Sequence, residues 1–261
     1  MNIIKKIKFF FYKLRGDLKA LNAYPSVDLS QGYRLNYDEY WKKRRGQDYH
    51  AALTSWQKER ADYVAQFLKP GEVIVDLGGG DGEVLKYIKS KVDIRGICVD
   101  FNDLVLAAAK KNGLETVNVD LADLSQLAKI PSGAYILGFE ILEHLPNPEE
   151  FIMAVKGKAT RAMIFSFPNT GYYLHRLRLL GGKFPLQWVS HPGEHLRFWT
   201  AADARWWVRN LGLQLDQLKL YQGLPLLSRV FPKLFAQGII IKISQSQSNL
   251  LDNSKNINQD N

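Results

Sequence analysis

Apolar and polar positions along the chain follow two alternating periods, which together predict an α/β fold. Short apolar runs, typical of buried strands, are separated by segments with apolar residues every three or four positions, typical of amphipathic helices. The predicted strands are 73–77, 94–99, 116–119, 134–139, 162–167, 214–221 and 238–243. The predicted helices are 1–21, 53–68, 83–88, 103–111, 151–156 and 201–210. Because strands and helices alternate, we expect a largely parallel sheet.

The first predicted strand runs directly into a glycine-rich turn, in the string VIVDLGGGDGEVL at residues 73–85. Glycine allows backbone conformations that are closed to other residues and lets a ligand approach the main chain. A helix that begins behind such a turn offers free N–H donors and the positive end of its dipole. The spacing is D-x-G-x-G-x-G, from Asp76 to Gly82, and differs from the G-x-G-x-x-G of dinucleotide sites. An acid directly before the loop suits a ligand with a cationic amine.

This string resembles motif I of the class I S-adenosylmethionine (SAM) dependent methyltransferases. The resemblance covers about residues 50–243 and implies a Rossmann-like, seven-stranded sheet in the order 3-2-1-4-5-7-6, with helices on both faces. It also implies SAM as the cofactor. The cofactor-binding candidates are Asp76, Gly78, Gly80, Asp81, Gly82, Asp100, Phe101, Asp120, Leu121 and Glu140. Position alone also supports Asp100, because an acid at the end of the second strand can accept both ribose hydroxyls.

Candidate catalytic residues follow the fourth predicted strand, in the segment EILEHLPNP. Glu140, Glu143 and His144 are spaced i, i+3 and i+4, so in a helix they would converge on one side. The segment resembles the ExxEHL element of many small-molecule methyltransferases, which borders the methyl-transfer centre. We predict that His144 is the base that deprotonates the acceptor, assisted by Glu143 or by the distant His195.

The same side chains allow a second interpretation, a divalent metal site. Glu140, Glu143, His144 and His195 combine carboxylate and imidazole ligands, which suit Mg²⁺, Mn²⁺ or Zn²⁺. Such a set resembles the metal centre of some quinone-precursor O-methyltransferases and RNA 3′-terminal 2′-O-methyltransferases. Many similar methyltransferases hold no metal, so we give the acid–base interpretation more weight.

A long excursion, residues 171–197, separates the fifth predicted strand from its crossover helix. A connection of this length is usually functional, and we interpret it as a cap that binds the acceptor, with Arg176 or Arg178 facing an acidic group. The segment FSFPNTGYYLHRLRLLGGKFPL is similar to the corresponding part of the MetW family of methionine-biosynthesis proteins. That resemblance leaves a second function open: a regulatory or accessory protein that keeps the SAM loop, acts with a protein partner and transfers no methyl group.

The net charge of +9 is concentrated at the N-terminus, where six basic residues and one acid among the first 19 contribute +5. Residues 1–21 read as a basic amphipathic helix, which predicts either peripheral contact with an anionic membrane or packing against protein. Because the basic excess is largely confined there, we expect no nucleic-acid partner. Tyr37, Trp41 and Arg45 belong to a segment that we interpret as a lid, either solvated or in contact with the cofactor or acceptor.

Three regions are therefore predicted: a basic helix and lid at 1–50, a methyltransferase domain at 51–243 with its cap at 171–197, and a disordered polar tail at 244–261. The single cysteine, Cys98, excludes an internal disulfide and suits a packed thiol. No apolar run is long enough to span a bilayer, so we expect a cytoplasmic location, with the membrane surface as an alternative. The expected activity is methyl transfer from SAM to a hydroxyl of a small-molecule, saccharide or lipid-linked acceptor.

Overall fold

The computed structural model describes residues 3–24, 52–187 and 192–246. Its strands are β1 (Val73–Leu77), β2 (Arg95–Asp100), β3 (Glu115–Asn118), β4 (Gly133–Phe139), β5 (Ala159–Pro168), β6 (Leu213–Tyr221) and β7 (Gly238–Gln245). They form one sheet in the order β3-β2-β1-β4-β5-β7-β6. Strands β1 to β5 are parallel, and β7 is antiparallel to both of its neighbours. The predicted fold class and strand order are confirmed.

Helices flank the sheet. They are α1 (Ile3–Asn22), α2 (Ser55–Ala65), α3 (Glu83–Lys89), α4 (Asp103–Lys111), α5 (Pro148–Val155), α6 (Tyr173–Leu180), α7 (Ala201–Asn210), α8 (Leu227–Val230) and α9 (Pro232–Phe235). The six predicted helices are present, four of them with shifted ends, and α6, α8 and α9 were not predicted. Two of the helices begin with reciprocal capping boxes, Thr54 with Gln57 and Thr200 with Asp203. Such caps satisfy backbone N–H groups that have no partner within the helix.

The strands are almost continuously apolar because helices bury both faces of the sheet. On one face, α5 and α7 contribute Phe151 and Trp207 to the core. On the other face, α2, α3 and α4 contribute Val64, Leu85 and Leu106. Cys98 is fully buried in this second core, which confirms the packed thiol.

Parallel pairing sets the position of the glycine turn. Leu77, the last residue of β1, pairs with Val99 on β2 and with Gly138 on β4. The carboxyl ends of these three strands therefore lie side by side, at the point where the strand order reverses. In open α/β sheets, ligands bind in the crevice outside this point.

The N-terminal helix α1 is present as predicted, and its C-terminal half packs on the domain. Tyr172 and Tyr173 both donate hydrogen bonds to Asp17, at 2.5 and 2.9 Å between oxygens. The buried Arg178 donates to the backbone carbonyls of Ala20, Leu21 and Ala23. Of the two interpretations of this helix, packing against protein is therefore observed for its second half.

The boundaries of two predicted regions change or lie outside the described residues. The tail was predicted to begin at residue 244, but β7 continues to Gln245 because it pairs with the start of β6 as far as Leu213. Residues 247–261 and the lid residues Tyr37, Trp41 and Arg45 lie outside the described residues. None of the described helices is long and apolar enough to cross a membrane.

Replacing Arg178 should loosen α1. We expect Arg178→Met to weaken its docking by about 3 kcal/mol, because the variant loses charged hydrogen bonds to three carbonyls. Hydrogen–deuterium exchange should then be about 100-fold faster in α1. Arg176→Met is the matched control, since Arg176 is exposed and its Nε bonds only the Gly171 carbonyl within the cap. Unchanged exchange in α1 of Arg178→Met would contradict this role.

Candidate functional site

A cavity of about 420 Å³ lies at the carboxyl ends of β1, β2 and β4. Most of the predicted site residues form its wall. These are Asp76, Gly78, Asp81, Asp100, Phe101, Asp120, Leu121, Glu140, Glu143, His144 and His195. The structure thus brings together residues that are spread over about 120 positions of the sequence.

Two of the predicted cofactor-binding glycines, Gly80 and Gly82, are not in the cavity wall. The Gly80 N–H donates to Asp100 Oδ2 at 3.1 Å and so ties the loop to the end of β2. Gly82 precedes α3 with φ of +73°, and a Cβ there would lie 2.4 Å from Leu114 Cδ1. These glycines shape the loop and its packing, whereas Gly78 borders the cavity.

The acids beside the loop are buried, which changes their ionisation. Burial raises the pKa of Asp76 to about 7, although the nearby Arg60 guanidinium partly opposes this shift. Burial also raises the pKa of Asp100, while backbone N–H groups of Asn102 and Gly80 stabilise its carboxylate. Both groups would gain from a positive charge placed in the cavity.

Asp120, in contrast, is exposed at the rim, and its Oδ1 accepts a hydrogen bond from the Ala122 N–H at 2.9 Å. Phe101 and Leu121 line the wall with it and offer apolar surface. All three residues follow the ends of β2 and β3, so this side of the cavity has the polarity that a flat heteroaromatic ring with an exocyclic amine requires.

Arg60 is a site residue that the sequence reasoning missed. It projects from α2, is buried, and its Nη1 lies 2.9 Å from Glu140 Oε1 and 3.2 Å from Ser166 Oγ. The sequence feature that could have revealed Arg60 is its position on α2: a cation between Trp56 and Tyr63, on the helix face that packs into the core. Gln57, Gln187 and Glu194 also line the cavity and were not predicted.

Glu140 lines the same cavity as Glu143 and His144 but has a different partner, Arg60. Its backbone has a φ of +57°, a conformation that costs about 1–3 kcal/mol for a residue with a side chain. The segment that follows is a single 3₁₀ turn, Leu142–His144, and not the α-helix that would make all three side chains converge. Glu140 therefore pairs with Arg60 and lies outside the group of donor atoms formed by Glu143, His144 and His195, and the helical arrangement considered for this segment is not observed.

Glu143, His144 and His195 do converge, with one donor atom from each within 4.8 Å of the others. His144 Nδ1 lies 2.7 Å from the backbone oxygen of Glu194. Because a carbonyl oxygen only accepts, Nδ1 carries the proton and Nε2 keeps a lone pair. Burial lowers the pKa of His144, and burial with the neighbouring His144 lowers that of His195 to about 4, so the neutral imidazoles are favoured.

Glu143 is fully buried, and among the described residues neither of its carboxylate oxygens has a hydrogen-bond partner. Burial, with the nearby Glu140 charge, raises its pKa well above the usual range. Its backbone oxygen accepts from the N–H groups of Leu196 and Arg197, which fixes the end of the cap beside it. The donor set of Glu143, His144 and His195 suits either proton transfer or a divalent cation.

The two cap arginines do not serve the predicted purpose, since neither Arg176 nor Arg178 is in the cavity wall. Arg176 donates to the Gly171 carbonyl, and Arg178 holds α1. The cap instead contributes Gln187, Glu194 and His195 to the cavity.

The strand order, the glycine turn after β1 and the acid at the end of β2 define the class I methyltransferase fold. A SAM-dependent methyltransferase from Archaeoglobus fulgidus superposes with a TM-score of 0.55 at 18% identity, over 79% of this chain and 99% of that one. The family model described as "Methionine biosynthesis protein MetW" matches residues 58–236. The chain therefore belongs to the MetW family.

Two further solved structures show the same fold. Magnesium protoporphyrin IX methyltransferase (ChlM) from Synechocystis PCC 6803 with bound SAH has a TM-score of 0.54 at 16% identity, over 93% of this chain and 100% of that one. A TehB-like SAM-dependent methyltransferase from Corynebacterium glutamicum has a TM-score of 0.52 at 13% identity, over 81% of this chain and 97% of that one. No curated protein matched the sequence significantly. At these identities the likeness establishes the fold alone.

The raised pKa of Asp76 predicts a specific pH dependence of stability. An acid whose pKa is raised by folding destabilises the folded state as the pH rises from its unfolded value towards the folded value of about 7. We expect Asp76→Asn to remove this loss, so the free energy of unfolding of the variant should gain about 3 kcal/mol on wild type between pH 5 and pH 8.

Urea unfolding at both pH values measures this difference. Asp123→Asn is the control, because Asp123 is only partly buried and caps the turn at Leu124–Lys129. A difference between Asp76→Asn and wild type that does not change with pH would refute the raised pKa.

Proposed function

We propose that the chain binds SAM and transfers its methyl group to a hydroxyl of a small-molecule, saccharide or lipid-linked acceptor. One observation carries this proposal: a single cavity joins the acids at the ends of β1 to β3 with the Glu143, His144 and His195 cluster. Methyl transfer needs these two halves, a pocket that holds a cationic donor and a base beside the reacting methyl group.

In the donor half, the glycine turn and Asp76 would hold the methionine end of SAM. The sulfonium and the α-ammonium are cations, and each would favour the ionised form of the buried Asp76. Asp100 would accept the ribose hydroxyls, and Asp120 the adenine amino group, with Phe101 and Leu121 beside the ring. Arg60 would supply the positive charge that the methionine carboxylate requires.

In the acceptor half, His144 Nε2 would take the proton from the acceptor hydroxyl. The oxygen then attacks the methyl carbon in line with the C–S bond, and the bonding electrons pass to sulfur. S-adenosylhomocysteine leaves as a neutral thioether. A sulfonium methyl is already reactive, so the protein's contribution is alignment, exclusion of water and removal of one proton.

A divalent cation is a second role for the acceptor half, and the observation that favours it is the buried Glu143 carboxylate without a hydrogen-bond partner among the described residues. Glu143, His144 and His195 would hold the ion, while Glu140 stays with Arg60. A bound cation would lower the pKa of an acceptor hydroxyl.

Membership of the MetW family favours a second function, an accessory protein without methyl transfer. Such a protein would use the donor half alone and would need a protein partner. Methyl transfer requires His144 as the base, whereas the accessory function does not require His144.

SAM binding is the first test. We expect wild-type protein to bind SAM in calorimetry, and Asp100→Ala to weaken binding by about 100-fold, because it loses charge-assisted hydrogen bonds to both ribose hydroxyls. Asp123→Ala is the control, since this acid lies outside the cavity wall. Equal SAM affinities of Asp100→Ala and wild type would refute the assignment of Asp100 to the ribose hydroxyls. If wild type does not bind SAM, the donor half is not a SAM site.

His144→Ala separates the enzyme from the accessory protein. We expect SAM affinity to stay unchanged and release of S-adenosylhomocysteine to fall by about 100-fold or more, because the base is lost. Saccharide, lipid-linked and small-acid acceptors are screened with wild type first. His175→Ala is the control, a cap histidine outside the cavity wall.

Wild type that binds SAM but methylates none of these acceptors supports the accessory function. Turnover that is lost with a chelator and restored by Zn²⁺ or Mg²⁺ assigns Glu143, His144 and His195 to a cation. Turnover that is insensitive to the chelator leaves them as acid–base groups.

A further inference from the structure

We propose that three segments outside the cavity form one docking surface for an anionic lipid bilayer. The segments are 3–24 with α1, 171–184 with α6, and 223–238 with α8 and α9, and we refer to them together as the basic–apolar face. The surface does not depend on the proposed methyl transfer, although it bears on which acceptor could reach the cavity.

Direct contacts make the three segments one continuous surface. Asp17 on α1 accepts from Tyr172 and Tyr173 at the start of α6. The Tyr173 ring in turn packs on the Phe235 ring of α9, with 5.3 Å between centroids. Lys13 closes the triangle with a 2.9 Å hydrogen bond to Gln237, directly after α9.

Large apolar side chains remain exposed on every part of this surface. They are Ile4, Ile7, Phe9, Phe11 and Leu18 on α1, Leu177, Leu179, Leu180 and Phe184 in the second segment, and Leu226, Val230 and Phe231 in the third. Exposed fractions reach 60% for Phe11, 84% for Leu180 and 67% for Val230. Soluble monomers seldom expose so many large apolar side chains on adjoining segments, and such patches mark contact surfaces.

The charge of the same segments identifies the partner. They contain eleven basic residues and one acid, out of 35 and 26 in the whole chain. The remaining residues contain 24 and 25, so the positive excess of the chain comes from these three segments, in which Arg178 is buried and the other ten basic residues remain to meet a partner. The one acid, Asp17, is engaged by two tyrosine hydroxyls. A partner must therefore be anionic.

Positive charge together with exposed apolar side chains favours an anionic lipid bilayer as the partner. Cations such as Lys5, Lys8 and Arg229 would meet anionic headgroups, while apolar neighbours such as Phe11 and Val230 would enter the boundary with the acyl chains. A nucleic acid would satisfy the charge but would leave the aliphatic side chains in water. Exposed cations beside exposed apolar side chains are typical of a helix that lies in the bilayer surface.

The face also adjoins the acceptor half of the cavity. Thr170, which precedes the second segment, donates to Gln187 Oε1 at 3.0 Å, and Gln187 lines the cavity. If the proposed function holds, a membrane-bound orientation would present the cap to acceptors that are anchored in the bilayer.

Vesicle co-sedimentation of the full chain tests the proposal. Vesicles of phosphatidylcholine alone are compared with vesicles that contain about one third phosphatidylglycerol, at low and high salt. We expect binding to the anionic vesicles only, and its loss at high salt, because salt screens the headgroup attraction. We expect the double variant Lys5→Glu with Lys8→Glu to lower the partition coefficient by about 30-fold or more.

Matched variants separate the face from general charge and hydrophobicity. Lys110→Glu with Lys111→Glu makes the same charge change at exposed positions of α4, outside the face, and should leave binding unchanged. Phe11→Ser should lower binding, whereas Trp206→Ser should not, although Trp206 on α7 is similarly exposed at 65%.

Three results would overturn the proposal. Wild type could fail to bind anionic vesicles, or the control variants could lower binding as much as the face variants. Alternatively, the protein could self-associate through Phe11, seen as a monomer in Phe11→Ser and a dimer in wild type, without vesicle binding. None of these results depends on SAM, so failure here is distinguishable from failure of the proposed methyl transfer.

Discussion

The burial of carboxyl groups around one cavity is the constraint on which the rest of the site depends. Seven acids line it, and among the described residues of its wall Arg60 is the one arginine or lysine. Desolvation makes such a set unfavourable unless groups are protonated, hydrogen-bonded or paired with a cation. The raised pKa of Asp76 favours its protonated form, and backbone N–H groups donate hydrogen bonds to Asp100. Arg60 is the cation that pairs with Glu140. A cationic ligand would pair with the acids that have no cation beside them.

The protein thus separates its charges by sign. The cavity is acidic and lies at the carboxyl ends of the parallel strands, whereas the positive excess comes from α1, α6 and the segment with α8 and α9. The cap connects the two regions, because one of its ends holds α1 through Arg178 and the other carries His195 into the cavity. If the proposed membrane docking and the proposed methyl transfer both hold, the cap is the segment that contacts both regions.

The sequence was sufficient for the fold because its signals are local. The spacing of apolar and polar residues, capping residues such as Thr200 and the glycine turn are each encoded within a few positions. Parallel pairing of the strands then fixes where their carboxyl ends meet. The acids at or just beyond the ends of β1, β2 and β3 were correctly predicted to meet for the same reason.

The side chains that the sequence misjudged depend on distant contacts. Arg178 is a residue type suited to binding an acidic acceptor, but its guanidinium donates to the carbonyls of Ala20 and Leu21 in α1, more than 150 positions away. Glu140 was expected to share a helix face with Glu143, and the left-handed backbone at Glu140 turns it towards Arg60 instead. Periodicity carries no information on either contact, because it describes neighbours along one element and not the packing between elements.

The hydrogen bond between His144 and the Glu194 carbonyl has a consequence for the timing of proton transfer. The bond selects one tautomer, and that choice depends on the turn Pro192–Glu194 lying against the site. If the turn moved away, both tautomers of a neutral imidazole would be populated, and one of them would have no lone pair at Nε2. In the proposed methyl transfer, the turn would therefore keep His144 Nε2 able to accept a proton while it lies against the imidazole.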